Sequence, residues 1–181
     1  MEYSKRLFAS LINAKKDEVA ISYSVSTALL TVLSAMNFTE RDELLVSDLE
    51  WPTTNYIFHA FKKLGARVRM IKSQNYRITL DQYEKNITDK TRLVAAVHVA
   101  SINGFRQDVK EIVKIAHRSG ALVYVDDFQS LGTIPMDVKK YDIDILISGT
   151  YKWLLGIPGV AYLYVKEELI QELEPIFIGW F

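Results

Sequence analysis

Short runs of apolar, often β-branched residues alternate along the chain with longer amphipathic stretches. Several of the short runs, such as Leu93–Val97 and Leu122–Val125, are apolar throughout, as is typical of strands that are buried on both faces of a sheet. The predicted strands are Glu18–Ser22, Glu43–Ser47, Arg67–Ile71, Arg92–Val99, Leu122–Asp126, Asp144–Ser148 and Val160–Val165. Strands that alternate with helices predict one α/β domain, a three-layer sandwich around a mainly parallel seven-stranded sheet.

Three of the predicted helices have recognisable ends. The stretch Asp108–Ser119 carries an apolar stripe at helical spacing and stops at Gly120. A second helix is predicted between Pro52, which is tolerated in a first turn, and Gly65. The segment Thr79–Gln82 is typical of a capping box, which predicts that a short helix begins there.

The charge balance and the absence of cysteine narrow the classes of function. Lys plus Arg and Asp plus Glu both number 22, so no net positive field attracts nucleic acid or an anionic membrane surface, and neither is expected as a partner. The 181 residues contain no cysteine, which excludes disulfides, thiolate metal sites and a cysteine nucleophile from them, and the histidines show no metal-ligand spacing. No apolar run approaches the ~20 residues of a membrane helix. Because Met1–Leu11 lacks the layout of a signal peptide, a cytoplasmic protein is expected.

Two residues whose side chains can take part in a reaction follow consecutive predicted strands. Asp126 ends one predicted strand, and Lys152 comes shortly after the next. Ligands of open α/β sheets bind at the carboxyl ends of the strands, where two such residues can meet. A lysine amine can form a Schiff base with the aldehyde of pyridoxal phosphate (PLP) and act as a base at a substrate's α-carbon, while an aspartate keeps the pyridine nitrogen protonated. Taken singly, a solvated loop lysine and a turn aspartate are the more ordinary interpretations.

The segments around these two residues resemble a known family. Val125–Gly132, Pro135–Val138 and Ser148–Gly156 closely resemble the class V aminotransferases, which are similar in fold to cysteine desulfurases, isopenicillin-N epimerase-like proteins and kynureninase. The resemblance covers essentially the whole chain. It implies that residues 1–181 form a PLP-binding large domain of fold type I. It also implies a homodimer and an amino acid substrate.

The resemblance assigns roles to individual residues around the ring of the cofactor. Lys152 matches the Schiff-base lysine, and Asp126 matches the acid at the pyridine nitrogen. Gln129 matches a residue that hydrogen-bonds the ring hydroxyl, and Ser101 stands where many relatives carry an asparagine near that hydroxyl. Trp51 falls where the family places an aromatic residue or histidine that stacks on the ring, although core packing is the ordinary alternative for a tryptophan.

The cofactor phosphate is expected near the start of a helix. Ser24–Thr27 follows a strand and opens a helix, and it matches the phosphate-binding turn of the family, with Ser26 and Thr27 as ligands. Free N–H groups and the helix dipole favour an anion at such a position, although a plain helix cap explains the same residues. Thr150 and Tyr151, just before the lysine, resemble further phosphate ligands.

Some features depart from the family pattern. Many relatives have a small alanine where Phe128 stands, so this ring either crowds the cofactor or sandwiches it against Trp51. Relatives are also longer, with a C-terminal small domain that binds the substrate carboxylate. The resemblance therefore implies that this domain is absent here, and that the apolar tail, residues 177–181, lies where it would begin.

Two alternatives stay open beside a PLP enzyme acting at an amino acid's α-carbon. The first is a truncated, non-catalytic module of the same fold with a structural or dimerisation role. The second is an unrelated α/β nucleotide-binding protein, which is disfavoured because no glycine-rich phosphate-binding motif follows a predicted strand.

Overall fold

The computed structural model describes residues 2–176 and shows three layers, with helices on both faces of a seven-stranded sheet. The strands are β1 (Val19–Ser22), β2 (Glu43–Ser47), β3 (Arg67–Ile71), β4 (Thr91–Val97), β5 (Leu122–Asp126), β6 (Ile145–Gly149) and β7 (Ala161–Val165). The helices are α1 (Glu2–Leu11), α2 (Val25–Ser34), α3 (Pro52–Ala60), α4 (Leu80–Asn86), α5 (Val109–Arg118), α6 (Val138–Tyr141) and α7 (Glu167–Ile170). All seven strands lie where the sequence predicts them, within two residues at each end.

The sheet is mainly parallel, as predicted. Its strand order is β1-β7-β6-β5-β4-β2-β3, and the neighbours from β6 to β3 pair in parallel. Only the β7 pairings, with β6 and with β1, are antiparallel in this sheet. The start of β7 therefore lies at the same edge of the sheet as the carboxyl ends of the parallel strands.

Alternate residues of the central strands pack into two separate hydrophobic clusters, one on each face of the sheet. In β5, Val123 and Val125 face the cluster that includes α5, whereas Tyr124 between them faces the cluster that includes α2 and α3. All three side chains are fully buried. Burial on both faces explains why these strands are apolar without alternation.

The predicted helix ends are confirmed by their caps. The Asp108 side chain accepts the Glu111 N–H at 3.2 Å before α5, and the Thr79 N–H donates to Gln82 Oε1 at 3.0 Å before α4. A 3-10 turn extends α3 to Gly65, whose φ of 97° lies in the left-handed region that favours glycine. The apolar tail, residues 177–181, lies outside the described residues. No helix within residues 2–176 is both long and apolar enough to cross a membrane.

Candidate active site

A cavity of about 260 Å³ lies at the edge of the sheet where β4, β5 and β6 end and β7 begins. The starts of α2 and α3 close it from the side, because both helices follow strands that end at this edge. Its lining combines one acid, one lysine, several hydroxyl groups and aromatic rings. Seven of the nine residues that the sequence singles out line it, namely Ser26, Trp51, Ser101, Asp126, Gln129, Tyr151 and Lys152.

Asp126, the last residue of β5, supplies the acid. Its side chain is 5% exposed, and its Oδ1 accepts the N–H of Phe128 at 3.0 Å. The pKa of this carboxyl is raised to about 6, mainly by burial and in part by the neighbouring Asp127, whereas the bond from the Phe128 N–H and the charge of Lys152 oppose the shift. A buried carboxylate of this kind is stabilised by a positively charged group placed in the cavity beside it.

Lys152 follows the end of β6 by three residues and reaches the same cavity. Burial lowers the pKa of its ammonium group, and the charge of Asp126 acts in the opposite direction. A lowered pKa enlarges the fraction of neutral amine, which is the form that acts as a nucleophile or as a base. Asp126 and Lys152 line the same cavity, so the structure does bring the two predicted residues together.

The start of α2 faces the cavity through Ser24 and Ser26. Ser24 caps the helix, since its Oγ accepts the Thr27 N–H at 3.0 Å and lies 2.9 Å from Thr27 Oγ1. The helix dipole and the remaining free N–H groups make this end suitable for an anion. Thr27 itself is exposed and does not line the cavity, so its contact with phosphate stays a prediction.

Thr150 is the other predicted ligand that lies outside the cavity lining. Its side-chain hydroxyl donates to the carbonyl oxygen of Ile157 at 2.6 Å and lies 3.2 Å from that of Val160. A Cβ added at Gly156 would lie 2.7 Å from Thr150 Cβ, so the loop closes tightly around this residue. In this structure Thr150 supports the loop that carries Lys152, and its role as a phosphate ligand stays a prediction.

Glu50 is a buried acid that the sequence did not single out. It is 5% exposed, its Oε1 accepts the Val97 N–H at 2.7 Å, and its Oε2 is buried without a hydrogen-bond partner. The pKa of this carboxyl is raised to about 8, mainly by burial and in part by the charge of Asp126. Val97 pairs with Asp126 across β4 and β5, so Glu50 fixes the strand end beside the acid. In sequence it looks like an ordinary turn residue, because its partner is 47 positions away.

A second buried network supports the loop after β5. His98 Nδ1 lies 2.8 Å from Asp127 Oδ1, and the Ser130 hydroxyl donates to the same oxygen. The backbone N–H of His98 also donates to the carbonyl of Asp126 at 2.9 Å. These bonds hold the end of β4 against the turn between Asp126 and Gln129. His98 and Asp127 therefore stabilise the backbone next to the cavity.

Comparisons with known proteins identify the family. The sequence model of the aminotransferase class-V family matches residues 1–180. The chain belongs to this family. It is 42% identical over 180 residues to the uncharacterized aminotransferase YcbU of Bacillus subtilis strain 168, which covers 99% of this chain and 48% of that protein.

Solved structures show the same fold. The apo cysteine desulfurase of Thermococcus onnurineus NA1 superposes with a TM-score of 0.89 at 31% identity, covering 99% of this chain and 46% of that one. A variant of C-DES solved with glycine covalently linked to its PLP cofactor has a TM-score of 0.92 at 24% identity, covering 99% and 49%. The chain thus spans about half the length of the relatives it matches. The comparisons point to PLP as the cofactor, as the sequence predicts.

The residues around the cavity fit this cofactor. Asp126 would present a buried carboxylate to a protonated ring nitrogen, and Lys152 would present an amine to an aldehyde. Trp51 and Phe128 provide flat apolar walls, and the start of α2 provides hydroxyl and N–H groups for a phosphate. No arginine lines the cavity within the described residues, so these neutral donors are the phosphate ligands that the chain offers there.

Proposed function

We propose that this chain is the PLP-binding large domain of an enzyme that acts at the α-carbon of an amino acid. The observation that carries the proposal is the convergence of Lys152 and Asp126 on one cavity with aromatic walls, beside the start of a ten-residue helix. When bound, PLP supplies an aldehyde for covalent attachment and a ring that accepts electrons from the substrate's α-carbon.

Side chains of the cavity are proposed to attach the cofactor, to move a proton and to bind the cofactor ring. The lowered pKa of Lys152 favours the neutral amine, which would attach the cofactor. Once the amino group of the substrate has displaced it from the cofactor, the freed amine would take a proton from the α-carbon of the substrate. Asp126, which is itself buried, would hold a positive charge at the ring nitrogen. Gln129 and Ser101 line the same cavity and are proposed to bind the ring hydroxyl.

We include a homodimer and a cytoplasmic location in the proposal. Three aromatic side chains that line the cavity are largely exposed: Tyr23 at 84%, Trp51 at 51% and Tyr151 at 52%. A second copy that covers this rim would remove their apolar surface from water. Such a cover would also shield the cavity from solvent.

The proposal is tested by the near-visible absorption of the purified protein mixed with PLP and then dialysed. We expect a band that survives dialysis and changes when an amino acid substrate is added from a panel. A lasting band without any change or turnover across the panel supports the non-catalytic module, and no lasting band contradicts PLP binding by this chain.

A further inference from the structure

The ammonium group of Lys152 lies between two aromatic rings. Its Nζ is 4.4 Å from the centre of the Phe128 ring and 5.6 Å from that of Trp51. Both distances fall within the range of a cation–π attraction, which is ~6 Å. The Phe128 ring also meets Tyr151 edge to face, with 4.9 Å between ring centres and an angle of 89° between planes. Phe128 is thus held in place on one side while it contacts Lys152.

The position of the Phe128 ring depends on Gly149. A Cβ added at this glycine, the last residue of β6, would lie 2.3 Å from Cε2 and 2.5 Å from Cζ of the ring. Both distances are far shorter than real contacts allow. The backbone of Gly149 is not among the positive-φ glycines, so its conformation does not call for glycine. The space that the Phe128 ring occupies is therefore the reason that a side chain does not fit here.

Phe128 also contacts the other chemical group of the site. Its backbone N–H donates to Asp126 Oδ1 at 3.0 Å, which fixes that carboxylate, while its ring lies against the amine of Lys152. One residue thereby orients both groups. A small side chain at this position would keep the backbone bond to Asp126 and lose the contact with Lys152.

We propose that Phe128 is a positioning residue that holds the Lys152 side chain in the cavity, and that Gly149 provides the space in which its ring lies. The inference rests on the proposed function, because it concerns the lysine that attaches the cofactor. It predicts that substitutions at Phe128 and Gly149 are strongly coupled. Contacting residues typically show such coupling, whereas independent ones do not.

The contact is tested first without cofactor, by NMR of the protein after reductive methylation with ¹³C-formaldehyde, which keeps the charge of each lysine. We expect the Lys152 methyl signal, assigned by its loss in Lys152→Arg, to be displaced from the other lysine signals by the ring currents. Phe128→Leu keeps an apolar wall without a π face, and it should move the signal toward the others. Gly149→Ala should also move it, by displacing the ring.

The coupling is tested by the dissociation constant of PLP in the same variants. Gly149→Ala should weaken PLP binding about tenfold in the wild-type background, within the usual range of coupling between neighbours. In a Phe128→Ala background, the same change should alter the constant less than about twofold, since the obstructed ring is gone. Thermal unfolding of each variant separates this effect from a loss of folding.

The outcomes distinguish the inference from the proposed function. An unchanged Lys152 signal in Phe128→Leu, or equal effects of Gly149→Ala in both backgrounds, overturns the role of Phe128 even if PLP binds. If the wild-type protein does not bind PLP, the proposed function is overturned. The contact between Phe128 and Lys152 is still established in that case if the Lys152 signal is displaced in the wild type and not in Phe128→Leu.

Discussion

Replacing Lys152 with alanine is expected to abolish the dialysis-resistant absorption band that PLP gives with the wild-type protein. The Lys152 amine lines the cavity, and its pKa is lowered by burial, so it is the amine suited to attach an aldehyde there. Removal of its partly buried side chain leaves the strands and both hydrophobic clusters intact. We therefore expect the thermal midpoint of unfolding to change little while covalent PLP is lost.

Lys85→Ala is the matched control for that experiment. Lys85 is exposed on α4 and does not line the cavity, so its replacement removes one lysine without altering the proposed site. The control should keep the wild-type band after dialysis. A band of equal intensity in Lys152→Ala would show that another lysine carries the cofactor and would contradict the assignment.

Replacing Glu50 with glutamine is expected to stabilise the protein at alkaline pH and to change its stability little at pH 5. Burial raises the pKa of Glu50 to about 8, so the folded state keeps its proton where the unfolded chain has lost it. The free energy of unfolding of the wild type therefore falls as the pH rises from about 4.5 to about 8. Over this pH range, the raised pKa of Glu50 lowers the free energy of unfolding by at most about 4–5 kcal/mol.

Glutamine removes the titration and keeps an oxygen that can accept the Val97 N–H. Urea unfolding at pH 5 and at pH 8.5 should show a smaller pH-dependent loss of stability in Glu50→Gln than in the wild type. Asp126, with its pKa raised to about 6, contributes in the same direction at lower pH and remains in both proteins. Glu40→Gln, on the surface, should behave like the wild type. An identical pH dependence in Glu50→Gln would contradict the raised pKa of Glu50 in the folded protein.

Local sequence patterns sufficed for the strands and for the helices with clear caps. The strand β5 is apolar because it is buried on both faces, and α5 has an apolar stripe between Asp108 and Gly120. The sequence did not predict α1, α6 and α7 individually, and two of these are only four residues long. The antiparallel direction of β7 was also missed, since strand direction depends on partners distant in sequence.

In the site, too, some residues could be predicted from local sequence and others depend on tertiary contacts. The position of Asp126, Lys152 and Trp51 at the cavity could be predicted because each stands beside a strand end or a helix start, in an order that resembles the family, and their roles there stay predictions. Gly149 and Glu50 could not, because their importance comes from contacts with Phe128 and Val97 that appear only once the chain is folded. Short sequence segments identify the groups that can do chemistry, and tertiary contacts identify those that position them.

The most direct test of the central claim is to locate the attached cofactor. The protein is mixed with PLP, the covalent product is fixed by borohydride reduction, and its peptides are mapped by mass spectrometry. We predict that the reduced cofactor is found on the peptide that contains Lys152, in a yield that far exceeds that of any other lysine. Labelling spread over exposed lysines, or concentrated at a lysine outside the cavity, would contradict the claim that Lys152 carries the cofactor.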